Sequence, residues 1–272
     1  MKMATVRTDL RVAVVVLVSL VGWLTVWEAL VRSHVLVSSV LPSPSTIVKT
    51  MFEPRFHQDV GGSAIASTFG WTIGAWVLGT CIGLALVAIG LRLKFVSHSL
   101  AFVLLAGRTL PSVIAIPIFA AGMGIGRRTG FACAAFLCVC YCVPTLDESM
   151  KSVAASRRVL RDALGLGGWQ AFWLVVFPGI GRAVRAIGVQ SFGIALVVTV
   201  AGEMLLSIDR TVGAEVANLA WLVRMVEVYA LVGWLILCSI AFNIATYLLP
   251  HILAFPAKRI ALFMERRLGE GV

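Results

Sequence analysis

Long uninterrupted apolar runs alternate along the chain with short segments that collect its charges, glycines and prolines. The runs fall at about 12 to 31, 64 to 90, 99 to 122, 129 to 146, 175 to 202 and 228 to 250. A helix needs roughly 18 to 20 apolar residues to cross the hydrocarbon core of a bilayer, and each run reaches or approaches that length. The pattern predicts an all-α, polytopic membrane protein with six transmembrane helices, forming a single transmembrane domain over residues 1–272. The first run follows a basic start, but no small-x-small cleavage site comes after it and it is long enough to span, so it reads as a retained helix.

Composition strengthens this picture. The chain is 60% hydrophobic and 13% charged, with a mean hydropathy of +0.97, whereas a soluble domain is roughly 45–50% apolar. A water-soluble enzyme is excluded. The net charge of +10 would suggest nucleic acid in a soluble protein, but here its distribution matters more, and no nucleic-acid partner is expected. With six crossings and both ends inside, the inner segments hold 15 Lys and Arg and the outer ones seven, with Arg108 standing inside the third run. That excess places both termini in the cytoplasm.

Several chemistries find no motif. No Lys follows a Gly, so the phosphate loop of ATP-hydrolysing proteins is missing, and neither H-E-x-x-H nor G-x-S-x-G occurs. Gly122-Met-Gly-Ile-Gly126 ends an apolar run and reads as a turn rather than a dinucleotide fingerprint. Cys81, Cys133, Cys138, Cys140, Cys142 and Cys238 all lie in apolar runs and read as small hydrophobes, with no metal site expected. Gly70-x3-Gly74 and Gly79-x3-Gly83 repeat small residues along the second run, a pattern that lets another helix approach closely, within the chain or between subunits.

Polar residues inside the runs are the candidates for a translocation path. Arg108 is costly in lipid, so it faces protein, an aqueous path or the nearby membrane surface. Pro111 and Pro117 free backbone carbonyls in the third run, as happens where a helix breaks beside a cavity or kinks for packing. Ser191 and Thr199 are polar positions in the fifth run and either line the path or bond back to their own helix. Glu203, near the outer end of that run, reads as a gate, a binding-protein contact or a solvated span end.

The segment from 147 to 173 is the longest inner connection and mixes charge with short amphipathic turns. Val159, Leu160, Leu164 and Leu166 recur around Arg157, Arg158 and Arg161, and Gly165-Leu-Gly167-Gly168 interrupts the run. Such a helix lies on the membrane surface or docks a soluble subunit. Gly165 followed by Val175, Phe177 and Pro178 resembles the back half of the E-A-A-x3-G-x9-I-x-L-P loop of the permease subunits of binding-protein-dependent ABC importers. Leu41-Pro-Ser-Pro44, Arg108-Thr-Leu-Pro111 with Ile116-Pro117, Gly124-Ile-Gly126, Ala201-Gly-Glu203-Met and Thr211-Val-Gly213 resemble, in order, landmarks of the nitrate, sulfonate and taurine type. The resemblance covers about residues 40–250. It departs at Val159-Leu160-Arg161, where the family carries Glu-Ala-Ala, and at Gly202, which interrupts an Ala-Glu pair.

The resemblance implies a type I importer permease of the bacterial inner membrane, itself no enzyme and without a cofactor of its own, moving a small solute, either an anion of the nitrate, sulfonate or taurine kind or a small organic molecule. Two ABC ATPase subunits would bind ATP and Mg. A second permease, the same chain or a different one, would complete the path, and an extracytoplasmic substrate-binding protein would deliver solute to the outer segments 32 to 63 and 203 to 227. It assigns ATPase coupling to Ser156, Arg157, Leu160, Arg161, Leu164, Gly165, Leu166, Gly167 and Pro178. The tail from 251 to 272 reads as an anchor on the inner leaflet. The alternative is a self-sufficient secondary transporter or channel, which needs coupling or selectivity residues within the spans.

Overall fold

The computed structural model describes residues 2–92, 102–156 and 177–269. Every regular element among them is helical: α1 (Lys2–Arg32), α2 (Pro44–Met51), α3 (Pro54–Phe56) with a π-turn at His57–Gly61, α4 (Gly62–Arg92), α5 (Phe102–Arg108), α6 (Ser112–Met123), α7 (Arg127–Ser156), α8 (Phe177–Leu205), α9 (Val212–Trp221) and α10 (Met225–Gly269). Five contain stretches long and apolar enough to cross a membrane: Val14–Arg32, Gly62–Val87, Arg127–Ser149, Arg185–Leu205 and Met225–Leu248. α5 and α6 make a sixth only when taken together, because they meet at a bend of 112°.

The third apolar run is therefore not the straight helix that hydropathy alone predicts over 99 to 122. Pro111 has no N–H to donate and disfavours helical geometry at the residue before it. It sits in extended backbone, φ −60° and ψ 131°, as the N-cap of α6. Ahead of it, the N–H groups of Thr109 and Leu110 close on the carbonyls of Ala106 and Gly107 at 3.2 Å each, and the Thr109 hydroxyl also donates to Ala106 at 2.8 Å. One helix is capped off before the next begins. Two other boundaries differ from the sequence reading: α7 runs past 146 to Ser156, so the 147–173 segment begins as helix, and α10 carries the tail on as helix through 269.

α7 is the hub of the bundle. Its membrane-length stretch is 67% buried, against 6% for that of α1 and 17% for that of α10. The hub is narrow because its face is built from small side chains: Cys133, Ala134, Ala135, Cys138, Cys140 and Cys142 are all buried. α4 lies against them with its own small residues. A Cβ added at Gly79 would stand 2.6 Å from both the Ala135 carbonyl oxygen and the Cys138 Cβ, and one at Gly83 would stand 3.1 Å from the Cys142 Cβ. Gly74 faces the Phe131 ring, while Gly70 faces open space. Three of the four glycines thus serve packing within the chain, and the advancing numbers on both sides show that α4 and α7 run parallel. α8 runs the other way: Gly202 touches Gly130, the Cys138 thiol donates to the Ser191 carbonyl at 3.4 Å, and Tyr141 bonds Gln190.

Short helices cover one end of the bundle. Ser43 caps α2 by accepting from the Thr46 N–H at 3.4 Å with Pro44 at its first position, so the Leu41-Pro-Ser-Pro44 landmark is a helix start. The buried Ile47 and Met51 of α2 pack on α10, where the Trp234 indole donates to the Met51 carbonyl at 3.0 Å. α1 joins this layer through Glu28, which accepts from the Ser45 N–H at 3.1 Å and hydroxyl at 2.7 Å and pairs with Arg32 at 2.8 Å.

Candidate functional site

Two polar clusters interrupt the apolar interior. The first joins the covered end of the bundle. Glu203, in the last turn of α8, is only 4% exposed. Its Oε2 accepts from the Thr68 hydroxyl of α4 at 2.8 Å and from the Gly213 N–H at the start of α9 at 3.2 Å, and Thr68 in turn accepts from the Val212 N–H at 2.9 Å. Arg127, at the start of α7, is the nearby positive charge; it donates to the Ser67 hydroxyl at 3.1 Å and the Asp209 carbonyl at 2.8 Å. The first N–H groups of a helix have no partner inside it, and a carboxylate placed there meets both an unpaired donor and the positive end of the dipole. Glu203 serves α9 in that way from a different helix. Gly213 permits the approach: a Cβ there would stand 2.4 Å from the Val200 carbonyl oxygen and 2.6 Å from the Glu203 Cβ. Two landmarks read separately in the sequence, Ala201–Met204 and Thr211–Gly213, are two sides of one junction.

The second cluster opens on the other flank of α7, where the α5–α6 bend meets α8. A cavity of about 420 Å³ is lined by Arg108, Leu110 and Ser112 from the bend, Leu137 and Tyr141 from α7, and Gln190, Gly193, Ile194, Val197 and Val198 from α8. The Arg108 guanidinium lies over the Tyr141 ring, 4.6 Å from its centroid, a cation–π contact worth ~0.5–2 kcal/mol. The Tyr141 hydroxyl donates to Gln190 Oε1. Gly107 lets α5 sit close against the hub, since a Cβ there would meet the Cys140 sulfur at 2.6 Å.

The path residues read from sequence separate into these surroundings. Arg108 lines the cavity and Pro111 makes the bend beside it. Ser191 is buried on α8, donates back to the Gly188 carbonyl at 3.2 Å and accepts from the Trp76 indole at 3.0 Å. Thr199 is buried, and its hydroxyl has no hydrogen-bond partner among the described residues. Glu203 belongs to the covered end and is not a solvated span end. Of the coupling residues, Ser156 ends α7 and Pro178 is the second residue of α8. Arg157, Leu160, Arg161, Leu164, Gly165, Leu166 and Gly167 lie outside the described residues.

Sequence reasoning passed over Tyr141, Gln190 and Gly193. A signal existed for two of them: Tyr141 and Gln190 are hydrogen-bonding side chains within apolar runs, as Arg108 is. What no pattern supplied was that residues 108, 141 and 190, on three helices, meet. Chemically, the cavity offers a cation and hydrogen-bond donors with apolar walls, an arrangement for holding a solute. No protein-family model matches the chain, and no characterised protein matches it.

Proposed function

We propose that this chain is the transmembrane permease subunit of an ATP-driven ABC importer, forming half of a translocation path for a small solute. The observation that carries the reading is the ordered run of landmarks from Leu41 to Gly213, which includes the Gly165, Val175, Phe177 and Pro178 spacing that resembles a coupling loop. In this reading a second permease subunit, of the same or a different chain, completes the path. Two ATPase subunits hold ATP and Mg and grip the 156–168 segment, and a binding protein loads solute at the covered end built from α2 and α9. Closure of the ATPase pair on nucleotide carries the coupling segments with it and shifts the bundle between two states, to the extent that nucleotide binds one state more tightly.

The packing supports a six-crossing topology for this permease. α4 and α7 run parallel, so the chain has to return between them, and α5–α6 is the segment available to bring it back as a broken span. Both termini then lie on the face opposite α2 and α9, the cytoplasmic one by the distribution of Lys and Arg. Lateral exposure supports a partner for the same flank: Val113, Ile114 and Val197 are all more than half exposed beside the cavity.

The test is co-expression of this chain with ABC ATPases of binding-protein-dependent importers, beginning with any encoded beside its gene. Copurification is expected, with ATP hydrolysis that collapses on Gly165→Pro while the complex still forms. Failure to associate with any ATPase overturns the reading and moves a self-sufficient transporter to first place.

A further inference from the structure

We propose that the flank made by α5, α6 and α8 docks a membrane-spanning helix of a different chain, one that presents an Asp or Glu side chain to Arg108. The proposal deepens the permease reading by giving the second subunit a chemistry, and it rests on that reading only for the subunit's role in transport. The cavity at the α5–α6 bend is a groove open along its side, with Arg108, Leu110, Gln190, Gly193 and Val197 of its lining all exposed. Apolar residues of α5 and α6 extend the surface: Phe102, Val103, Ile114 and Ile118 are each more than half exposed.

Depth makes the groove's one cation decisive. Arg108 rests on the Tyr141 ring, and Tyr141 is 14 residues along α7 from Arg127, or about 21 Å at 1.5 Å per residue. The apolar stretch of α7 is 23 residues long, about 34 Å by the same rise, so Arg108 stands inside the hydrocarbon layer. A charged side chain at such depth is costly against lipid and pairs with an opposite charge. Arg108 makes no ion pair among the described residues, and with its face on the ring its N–H edges stay available. Beside it, Tyr141 gives its proton to Gln190 Oε1, which leaves the Gln190 amide nitrogen without a partner among the described residues. A guanidinium fork and an amide donor together match one carboxylate.

A second copy of this chain does not supply that group. Chains inserted in one orientation pair about an axis along the membrane normal, so each depth of one copy meets the same depth of the other. Residues 102–146 and 177–202, which cover α5, α6, most of the apolar stretch of α7 and all of α8 before Glu203, contain no Asp or Glu. Self-pairing through this flank sets Arg108 level with its like. The nearest acids along the hub, Asp147 and Glu148, lie six and seven residues beyond Tyr141, about 9 to 11 Å deeper. Glu203 is buried and bonded to Thr68 and Gly213.

α8 offers the space for a foreign helix. Ala186, Gln190, Gly193 and Val197 are exposed at intervals of four, three and four residues and so form one edge. A Cβ at Gly193 would have nothing within 4 Å, so the missing side chain serves no contact within the chain. It leaves room for a second backbone to come close.

The probes are leucine–alanine peptides of about 20 residues, long enough to span, each carrying one Glu, Gln or Lys in its central third. The full-length chain is held in phosphatidylcholine nanodiscs, and energy transfer from its tryptophans to a dansyl group on the peptide reports binding. The Glu peptide should bind at least ten-fold more tightly than the other two. Arg108→Gln should abolish that preference, Arg108→Glu should pass it to the Lys peptide, and Gly193→Leu should weaken the Glu peptide at least ten-fold with Arg108 in place. Monodisperse elution checks that each variant is folded, and either substitution at Arg108 decides the matter if the other fails. Binding of all three peptides alike, or of none, overturns the docking face, as does a Gly193→Leu variant that binds as wild type does. A photo-crosslinker at Val197 that joins two copies of the chain expressed alone overturns the different partner. Loss of the Glu preference in phosphatidylglycerol nanodiscs assigns Arg108 to lipid phosphate and overturns the partner as well. Selective peptide binding without association with any ATPase would keep the surface and remove the importer; an ATPase complex built on a dimer of this chain alone would do the reverse.

Discussion

Glu203 joins three helices through one carboxylate oxygen, and its removal separates hydrogen bonding from charge. Glu203→Ala leaves the Thr68 hydroxyl and the Gly213 N–H without their buried acceptor, which costs about 1–3 kcal/mol for an unsatisfied group. Glu203→Gln keeps an acceptor oxygen and should lose less. Thermal unfolding in detergent, followed by tryptophan fluorescence, should rank them wild type, then Gln, then Ala; an Ala variant as stable as wild type would remove the junction from the account. Val223 gives the opposite expectation. It follows α9 at φ 59°, with its own N–H on the Ala220 carbonyl and the Arg224 N–H on the Leu219 carbonyl. That is the bonding of a glycine-terminated helix end, occupied by a β-branched residue for which left-handed backbone is strained. Val223→Gly should raise stability by about 1 kcal/mol, measured in the same unfolding assay.

Between elements, helix approach without the hydrophobic effect depends on small residues that bring backbones together. The four glycines of α4 look alike in the sequence, yet they should respond differently. Gly79→Ala puts a methyl group 2.6 Å from the α7 backbone and the Cys138 side chain, so α4 has to move; overpacking of this kind costs about 1–3 kcal/mol. Gly70→Ala meets nothing within 4 Å and should stay within about 0.5 kcal/mol of wild type. If the two variants unfold together, the parallel α4–α7 contact is not where the bundle holds. The cysteines belong to the same argument. Cys138 and Cys142 face α4 and Cys140 faces Gly107 of α5 as near-minimal side chains, so close packing accounts for three alternate thiols in a row.

For the molecule as a whole, the broken third run decides topology. If α5–α6 crosses the membrane, a fluorescent reporter at either terminus should fluoresce on the cytoplasmic side. A cysteine placed at Trp221, which is 87% exposed at the covered end, should react with an impermeant maleimide from outside intact cells. The native thiols lie within apolar stretches, so they should stay silent to that reagent. Reporters on opposite sides would make α5–α6 re-entrant and the crossings five.

Much of this architecture was legible in the sequence because a bilayer imposes a local rule. Backbone groups in hydrocarbon have to be satisfied within each segment, so apolar length alone announces helices, and Pro111 carries local chemistry that reads directly. Five membrane-length helices were fixed in this way, as was the small-residue face of α4. Tertiary structure alone decided that the third run bends through 112°, that Glu203 is buried in a three-helix junction, and that Arg108, Tyr141 and Gln190 share one cavity. The reason is physical. Hydropathy sums over a segment and carries no information on rotation about the helix axis, whereas a site depends on which faces of separate helices turn toward each other, and that is set by where small residues allow backbones to close.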